Sequence, residues 1–322
     1  MLPARDDLTI CFAHAAYRMQ DRFALRNTGI RSVEVRDRAA LDAGVGAADV
    51  LVVSGLWDDA LLPRAPKLRF VQSISAGVDQ YGKDALRAAG VRLASAQGAN
   101  ARAVSEHAMA LILALSRLLP EARDNQAKRV WRGMIGDLAR REDELGGKTL
   151  LIVGLGRIGG RLARLGKAFD MRVVGIRRDP RGGHNGADEV HGLGLPKALL
   201  QQADFVALTC PLTPETEGLV DAEALDLMRP SAHLVNVARG RVCVEAAVAG
   251  ALAGGRIAGA ALDCTEAEPL AADSPLWAMP NVLITPHTAG ETRRYEDNVI
   301  DLLLENLDRL WRGESELKNQ VV

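Results

Sequence analysis

The stretch that decides the fold reads Lys148-Thr149-Leu150-Leu151-Ile152-Val153-Gly154-Leu155-Gly156-Arg157-Ile158-Gly159. Its first half is a nearly continuous apolar run, typical of a strand that is buried on both faces of a parallel sheet. Its second half matches G-x-G-x-x-G, and the residues that follow have a helical composition. In this context Gly154 permits a tight turn, Gly156 lets a pyrophosphate approach the backbone, and Gly159 allows close packing of helix on strand. The stretch therefore predicts a dinucleotide-binding site, with a nucleoside ligand such as S-adenosylmethionine as the alternative.

Short β-rich runs alternate with helical patterns along the rest of the chain, as in α/β folds with a mainly parallel sheet. Further strands are predicted at residues 8–13, 49–54, 68–75, 91–94, 171–176, 205–209, 233–237, 257–262 and 282–284. A long helix is predicted over residues 103–119, with Asn100 as a candidate cap and Pro120 as its end or kink. The sequence predicts two α/β units, the second inserted into the first, with crossings near Asn100 and Thr288.

Composition excludes several classes of function. The 322 residues carry 40 Lys+Arg against 41 Asp+Glu, a formal net charge of −1. This balance offers no basic surface for nucleic acid or for an anionic membrane. The N-terminal residues lack the apolar region of a secretory signal, and the most apolar stretch, 104–119, is too short to span a bilayer. The four cysteines are widely spaced, so they predict no metal site. We therefore expect a cytoplasmic protein without nucleic-acid or membrane partners.

The end of the strand after the glycine turn indicates which dinucleotide binds. An NAD site has an acidic residue about 20 positions downstream, which hydrogen-bonds the ribose 2′-hydroxyl. Here Arg177 and Arg178 occupy that place. Guanidinium groups bind a 2′-phosphate through charge-assisted hydrogen bonds, which favours NADP(H). NAD(H) is the alternative, because Asp179 follows directly and a shifted register would return a carboxylate to the ribose.

Three segments that follow predicted strands carry candidate chemistry. Arg239 ends one strand, Glu268 follows the next, and His287 follows the third. Ligands of parallel α/β sheets bind outside the carboxyl ends of the strands, so we expect these side chains at one edge. An arginine binds a carboxylate, a histidine supplies a proton, and a glutamate orients that histidine, which together suit the reduction of a 2-oxo acid. His107, on the long helix, is interpreted as a packing or hinge residue.

Seven motifs, in order, resemble the D-isomer-specific 2-hydroxyacid dehydrogenase family over nearly the whole chain. They are Ser75-Ala76-Gly77-Val78-Asp79, Glu106-His107-Ala108, Gly154 to Gly159, Cys210-Pro211-Leu212-Thr213-Pro214-Glu215-Thr216, Asn236-Val237-Ala238-Arg239-Gly240, Asp263 with Glu268-Pro269-Leu270, and Pro286-His287-Thr288-Ala289. The resemblance implies two Rossmann-like or flavodoxin-like α/β domains with parallel sheets. A discontinuous substrate domain of residues 1–99 and 289–322 would surround a Rossmann cofactor domain of residues 100–288.

The resemblance also implies roles for individual residues. Arg239 would bind the substrate carboxylate and polarise the carbonyl, His287 would protonate the carbonyl oxygen, and Glu268 would pair with His287. The implied backbone contacts to the substrate carboxylate come from Ala76, Gly77 and Val78. The implied cofactor contacts, beyond the three glycines and the two arginines, come from Arg157, Ile158, Cys210, Pro211, Thr216, Ala238 and Asp263, of which the last would hold the carboxamide.

The expected function is hydride transfer from NADP(H) to a small 2-oxo acid, giving the (R)-2-hydroxy acid, in a homodimer. The departure from an acidic residue at Arg177 resembles the glyoxylate/hydroxypyruvate reductase type, which favours NADPH. One alternative is a dinucleotide-sensing, corepressor-like binding protein on the same fold. Another is a phosphoglycerate-type dehydrogenase, which the end of the chain shortly after the last helix disfavours. Formate oxidation is disfavoured because Glu268, and not an amide, accompanies His287.

Overall fold

The computed structural model describes residues 2–322, the side chain of residue 139 excepted. The chain divides into two compact units, Met1–Asn100 with Glu291–Val322, and Ala101–Gly290. Met1 itself lies outside the described residues. Each unit is built on a parallel β-sheet, so the predicted α/β class with two parallel-sheet units is confirmed.

The elements of both units are as follows, in chain order. The strands are β1 (Thr9–Ala13), β2 (Arg31–Val35), β3 (Val50–Val53), β4 (Phe70–Ser73), β5 (Arg92–Ala94), β6 (Thr149–Val153), β7 (Arg172–Ile176), β8 (Glu189–His191), β9 (Phe205–Leu208), β10 (His233–Asn236), β11 (Gly259–Leu262) and β12 (Val282–Ile284). The helices are α1 (Met19–Ala24), α2 (Arg38–Gly44), α3 (Lys83–Ala88), α4 (Ala101–Ser116), α5 (Leu119–Ala127), α6 (Arg157–Ala168), α7 (Lys197–Leu200), α8 (Ala222–Leu227), α9 (Glu245–Ala253) and α10 (Tyr295–Trp311).

The first unit has the strand order β2-β1-β3-β4-β5. This is the flavodoxin-like order, in which strands are added first on one side of β1 and then, from β3 on, on the other side. Helix α10 returns to this unit and buries Val299, Leu303 and Leu307 against residues of β1 such as Phe12. These three residues are spaced four apart, which places them on one face of the helix. The apolar period of the C-terminal helix therefore anchors the end of the chain in the first core.

The second unit has the strand order β12-β11-β10-β9-β6-β7-β8. All five residues of β6 are buried, as the continuous apolar run predicts for a central strand. The chain moves outward to β7 and β8 on one side and to β9 through β12 on the other. Its strand order reverses between β6 and β9, which is where open parallel sheets bind their ligands.

Two edge strands, β2 and β8, are absent from the sequence prediction. The residues of β2 are exposed or half-buried, and those of β8 are all half-buried. Neither strand has the apolar run that marks a central strand. Edge strands of this kind are set by pairing with a neighbour rather than by their own composition.

The break after α4 lies earlier than predicted. The helix ends at Ser116, Leu118 is left-handed with φ +51°, and Pro120 lies in the first turn of α5. A proline ring collides with the carbonyl four residues before it, so it ends a helix upstream and is tolerated in the first turn of the next one. The predicted cap is wrong, because within residues 2–322 the buried Oδ1 of Asn100 accepts no hydrogen bond.

Within the described residues, no single helix is long and apolar enough to cross a membrane. Helices α4 and α5 meet such a criterion only when taken together, and they are bent by 69° at their junction.

His233 makes the stability of the second unit depend on pH. Its ring stacks on Phe205, with 5.2 Å between centroids, and burial lowers its pKa from the ordinary 6.5 to about 4. The unfolded chain therefore binds a proton between these two values that the folded chain does not. Stability must fall as pH drops through this window, by about 2 kcal/mol between pH 7.5 and pH 5.0.

We predict that His233→Gln loses about 2 kcal/mol less than the wild-type protein over this pH range, because glutamine does not titrate. Urea unfolding at pH 7.5 and pH 5.0 measures the difference. His184→Gln, at an exposed histidine, is the matched control and should follow the wild-type protein. Equal losses in all three proteins would show that His233 does not carry the effect.

Candidate active site

The glycine turn after β6 combines two tight positions with an open one. Gly154 has φ +105°, and a Cβ there would lie 2.5 Å from the backbone nitrogen of Cys210. A Cβ on Gly159 would lie 2.3 Å from the carbonyl oxygen of Gly154, whereas a Cβ on Gly156 would meet no atom within 4 Å. The protein itself therefore requires two of the glycines, and the third leaves room for an external group.

That open space lies at the start of a 12-residue helix. Helix α6 begins at Arg157, and its N-cap, Gly156, makes no side-chain capping bond. The backbone N–H groups of a first helical turn and the helix dipole favour a bound anion. The residues present thus fit the pyrophosphate of a dinucleotide, as the sequence pattern predicts.

Arg177 follows β7 and is held by its own loop. Its Nη1 donates to the carbonyl oxygens of Gly182, at 2.6 Å, and Gly183, at 3.1 Å. Arg178 is exposed. Hydrogen bonding from Thr213 lowers the pKa of Glu215, and the charge of Arg178 adds to the effect. The two arginines thus lie at the carboxyl edge of the sheet, beside the loop that follows β9.

Asp179, the carboxylate that favoured the alternative cofactor, is engaged by Arg181. It accepts from the backbone nitrogen of Arg181 at 3.1 Å and from its Nε at 2.9 Å. The side-chain hydrogen bond, followed by the backbone one, lowers the pKa of Asp179. The Asp179 carboxylate is therefore hydrogen-bonded within the turn of residues 179–181.

The loop after β9 carries Cys210, Pro211 and Thr216. Burial raises the pKa of the Cys210 thiol to about 11, so it is neutral at physiological pH. Thr216 Oγ1 donates to the Pro211 carbonyl at 2.7 Å and accepts from the Thr213 nitrogen at 2.8 Å. These bonds make Thr216 a residue that shapes the loop, and its cofactor contact stays a prediction.

Arg239 follows β10 on a turn that a buried amide holds. Asn236 Nδ2 donates to the Arg239 carbonyl at 3.0 Å, and its Oδ1 accepts from the Ala238 nitrogen at 3.0 Å. Gly240 comes next, and a Cβ there would lie 1.9 Å from the carbonyl oxygen of Thr265. The Arg239 turn is thus packed directly against the loop after β11. The sequence reasoning gave Asn236 no role, although an amide at the end of a buried strand was the available signal.

Glu268 and His287 form a hydrogen-bonded pair between the loops after β11 and β12. His287 Nδ1 lies 2.7 Å from Glu268 Oε2, and Glu268 Oε1 accepts from the Thr265 nitrogen at 3.2 Å. Both side chains are about two-fifths exposed, at 42% and 40%. Since Nδ1 donates to the carboxylate, a proton exchanged with a ligand would pass through Nε2.

Asp263 lies beneath this pair and is 2% exposed. It accepts from Thr285 Oγ1 at 2.6 Å and from the nitrogens of Thr288 and Ala289 at 3.1 Å each. These donors flank His287, whose φ is +55°. A carboxylate oxygen retains lone pairs for a further donor, such as a carboxamide. His107, interpreted from the sequence as a packing or hinge residue, takes part in this polar network through Thr285.

The charges of the three loops converge on one thiol. Burial raises the pKa of Cys264, the charges of Glu268 and Asp263 raise it further, and the charge of Arg239 lowers it. One edge of the sheet therefore brings together a cation, a histidine–carboxylate pair and a buried carboxylate. This set can bind an anion and move a proton.

In the first unit, the segment with Ala76, Gly77 and Val78 follows β4 and is half-buried. Its start is fixed by Ser75, whose hydroxyl lies 2.5 Å from that of Ser54 at the end of β3. The carbonyl of Val78 accepts from the Tyr81 nitrogen at 3.3 Å. The three residues thus lie at the carboxyl edge of the first sheet.

Comparison with known proteins identifies relatives of this chain. Residues 109–289 match the family described as D-isomer specific 2-hydroxyacid dehydrogenase, NAD binding domain. Glyoxylate/hydroxypyruvate reductase B of Escherichia fergusonii is 38% identical over 303 residues, which is 92% of this chain and 91% of that protein. D-3-phosphoglycerate dehydrogenase of Mycobacterium tuberculosis is 37% identical over 289 residues, 88% of this chain and 53% of that protein. The chain thus spans about half the length of the phosphoglycerate dehydrogenases that it matches.

A solved structure agrees over the whole chain. The NADPH-dependent glyoxylate/hydroxypyruvate reductase of Sinorhizobium meliloti, in complex with NADP and malonate, has a TM-score of 0.80 and 28% identity, and covers 98% of this chain and 97% of that one. The glycine turn, the three strand-end loops and these similarities agree, and the chain belongs to the D-isomer specific 2-hydroxyacid dehydrogenase family.

Proposed function

We propose that this protein is an NADP(H)-dependent oxidoreductase that reduces a small 2-oxo acid of the glyoxylate or hydroxypyruvate type to the (R)-2-hydroxy acid. The observation that carries the proposal is the 2.7 Å contact between His287 and Glu268, with Arg239 on the adjoining loop. Similarity to the reductases of E. fergusonii and S. meliloti supports this substrate class.

The catalytic roles follow from charge and hydrogen-bond direction. Arg239 binds the substrate carboxylate and polarises the carbonyl that is reduced. His287 donates a proton from Nε2 to the carbonyl oxygen, and Glu268 holds the ring through Nδ1 and stabilises its cationic form. A bound reduced nicotinamide supplies the hydride. In the first unit, the backbone N–H groups of residues 76–78 bind the substrate carboxylate.

The second unit holds the cofactor. Gly156 and the backbone of Arg157 and Ile158, at the start of α6, would hold the pyrophosphate, and Asp263 would accept a hydrogen bond from the carboxamide. The remaining proposed cofactor residues are Gly154, Gly159, Arg177, Arg178, Cys210, Pro211, Thr216 and Ala238. We accordingly assign the cofactor domain to residues 100–288 and the substrate domain to residues 1–99 and 289–322.

The preference for NADP(H) over NAD(H) rests on the loop after β7. Arg177 and Arg178 offer positive charge at the position where an acidic residue would bind the ribose. Asp179 is engaged by Arg181, which keeps that carboxylate from the ribose. The NADP bound to the S. meliloti reductase also supports the preference.

Phosphoglycerate oxidation is the second candidate function. The observation that favours it is the 37% identity to the M. tuberculosis enzyme over 289 residues. A chain that only senses dinucleotides is a third outcome of the assay below.

The decisive assay is the absorbance change at 340 nm with NADPH or NADH and glyoxylate, hydroxypyruvate, pyruvate or phenylpyruvate, and the reverse assay with 3-phosphoglycerate. We expect NADPH to be oxidised well ahead of NADH with one of the 2-oxo acids. Arg177→Asp should reverse the preference, by about tenfold or more in kcat/KM, because it replaces an attraction to the 2′-phosphate with a repulsion. Arg87→Asp, the same charge reversal at an exposed arginine of the first unit, is the matched control and should keep the wild-type preference. Tight cofactor binding without turnover would contradict the proposal and support a sensor.

The open space at Gly156 gives a prediction that separates binding from folding. Gly156→Ala should unfold in urea within about 1 kcal/mol of the wild-type protein, because its Cβ meets no protein atom. It should bind NADPH at least about tenfold more weakly, as measured by cofactor fluorescence, because the methyl group takes the place of the phosphate. Gly154→Ala, which strikes the Cys210 backbone, should instead lose stability. Wild-type affinity in Gly156→Ala would move the phosphate elsewhere.

We further propose that the protein is a cytoplasmic homodimer. Its four cysteines are unpaired and buried, as is usual in reducing compartments. The segment after α5 exposes large apolar side chains, Trp131 at 98%, Met134 at 104% and Leu138 at 74%. Apolar side chains exposed together are a common mark of a protein interface, and we assign a second copy of this chain to them.

Light scattering after gel filtration tests the dimer. The wild-type protein should elute with about twice the chain mass of 34.5 kDa. Trp131→Ser combined with Met134→Ser should shift it toward the monomer, because interface aromatic side chains contribute about 2 kcal/mol or more to association. Leu25→Ser, at an exposed leucine of the first unit, should leave the mass unchanged. A wild-type monomer would refute the proposal.

A further inference from the structure

A polar network links helix α4 to the loop that carries His287. His107 Nε2 lies 3.0 Å from Thr285 Oγ1 and 3.6 Å from Asp263 Oδ1. Thr285 Oγ1 in turn donates to Asp263 Oδ1 at 2.6 Å. The His107 side chain is 25% exposed and that of Asp263 2%. The network therefore runs from a half-buried imidazole to a fully buried carboxylate.

The hydrogen-bond directions along this network are determined by chemistry. An ionised carboxylate only accepts, so the single hydroxyl hydrogen of Thr285 must point to Asp263. The same hydroxyl can then only accept from His107, which places a hydrogen on Nε2 of that ring. His107 thus donates to Thr285, and Thr285 donates to Asp263.

Asp263 holds the loop on both sides of His287. It accepts from Thr285 before that residue, and from the nitrogens of Thr288 and Ala289 after it. His287 is left-handed, with φ +55°, a backbone conformation that is strained for a non-glycine residue. The surrounding bonds must offset this strain. The pair with Glu268 is exposed, and exposed pairs contribute little to holding a backbone.

His107 strengthens the hydrogen bonds by which Asp263 holds residues 285–289. A donor to the Thr285 oxygen polarises its O–H bond, and hydrogen bonds in a chain reinforce one another. Without His107, the Thr285 hydroxyl loses its donor while it remains half-buried. The hydrogen bond from Thr285 to Asp263, two residues before His287, would then hold the start of the loop less strongly.

We propose that His107 is a positioning residue of the reaction, which acts through Thr285 and Asp263 to keep residues 285–289 in the conformation that presents His287 to substrate. This inference rests on the proposed function, in which His287 is the proton donor. It assigns no direct contact between His107 and substrate.

The kinetics of three single variants, one double variant and a control test the proposed positioning role of His107. His107→Leu removes the donor and should lower kcat about fivefold while KM stays within about twofold, since a neutral hydrogen bond is worth about 1 kcal/mol, which is about fivefold in rate, and the ground-state contacts remain. His107→Gln restores an N–H at a similar reach and should recover most of kcat. Thr285→Val should lower kcat at least as much, and the double variant with His107→Leu should be no slower than Thr285→Val alone. Arg117→Gln, exposed just beyond α4, is the control.

A second readout does not depend on turnover. The chain has six histidines, so the imidazole signals of ¹³C-histidine-labelled protein can be separated, and His287→Gln identifies that of His287. The His287 signal should move or broaden in His107→Leu and remain in place in His107→Gln. Wild-type kcat with an unmoved His287 signal in His107→Leu would overturn the inference, as would multiplicative effects of the two substitutions.

The two proposals fail in different ways. If the wild-type protein has no reductase activity, the proposed function is refuted, and no variant is needed to decide this. The His287 signal then still decides the positioning role: a change in His107→Leu that His107→Gln reverses supports it, and no change refutes it.

Discussion

The site depends on one constraint: the paired strands of the second sheet, as described, run parallel. Parallel strands end at the same edge, so the loops that follow β6, β9, β10, β11 and β12 open on the same side. Gly154 and His287 are far apart in the chain and yet belong to this edge. The direction of the strands, more than any single contact, converts a scattered set of polar residues into a site.

Within that edge, burial separates the interaction that fixes the geometry from the pair that we propose performs the chemistry. Asp263 is buried, and an unsatisfied carboxylate there would cost several kcal/mol, so its donors are held in place. The pair of Glu268 and His287 is two-fifths exposed, where ion pairs contribute about 0–1 kcal/mol. The buried carboxylate therefore sets the backbone of the loop. The exposed pair is accessible to a ligand, as its proposed role in proton transfer requires.

The sequence predicts the parts of the fold whose signal is local. The apolar run of β6 and the glycine spacing need no partner to be recognised, and the structure agrees with both. The edge strands β2 and β8 could not be predicted, because half-exposed strands owe their conformation to a neighbour. The break at Leu118 was misplaced by two residues, because a proline acts on the turn before it.

The same division applies to the candidate site. Arg239, Glu268 and His287 could be proposed because each follows a recognisable strand. His107 could not, because its partner Thr285 lies 178 positions away and a lone histidine on a helix carries no directional signal. The sequence shows Asn236 at the end of a buried strand, but the hydrogen bonds that its amide makes to the Arg239 turn depend on backbone geometry. The residues that we propose perform chemistry thus stand at positions that the sequence marks, whereas the residues that hold them are defined by contacts that only the folded chain makes.

The loop after β7 shows how such holding contacts bear on specificity. The Arg177 guanidinium is tethered to two carbonyls, so less conformational entropy is lost when it meets a phosphate than a free arginine would lose. Asp179, tied to Arg181, would have to break charge-assisted bonds before it could reach a ribose. The turn after β7 thereby orients the Arg177 guanidinium and keeps the Asp179 carboxylate bonded within the loop. The proposed selection of a 2′-phosphate is thus a property of the bonds within the loop as much as of the charges that it carries.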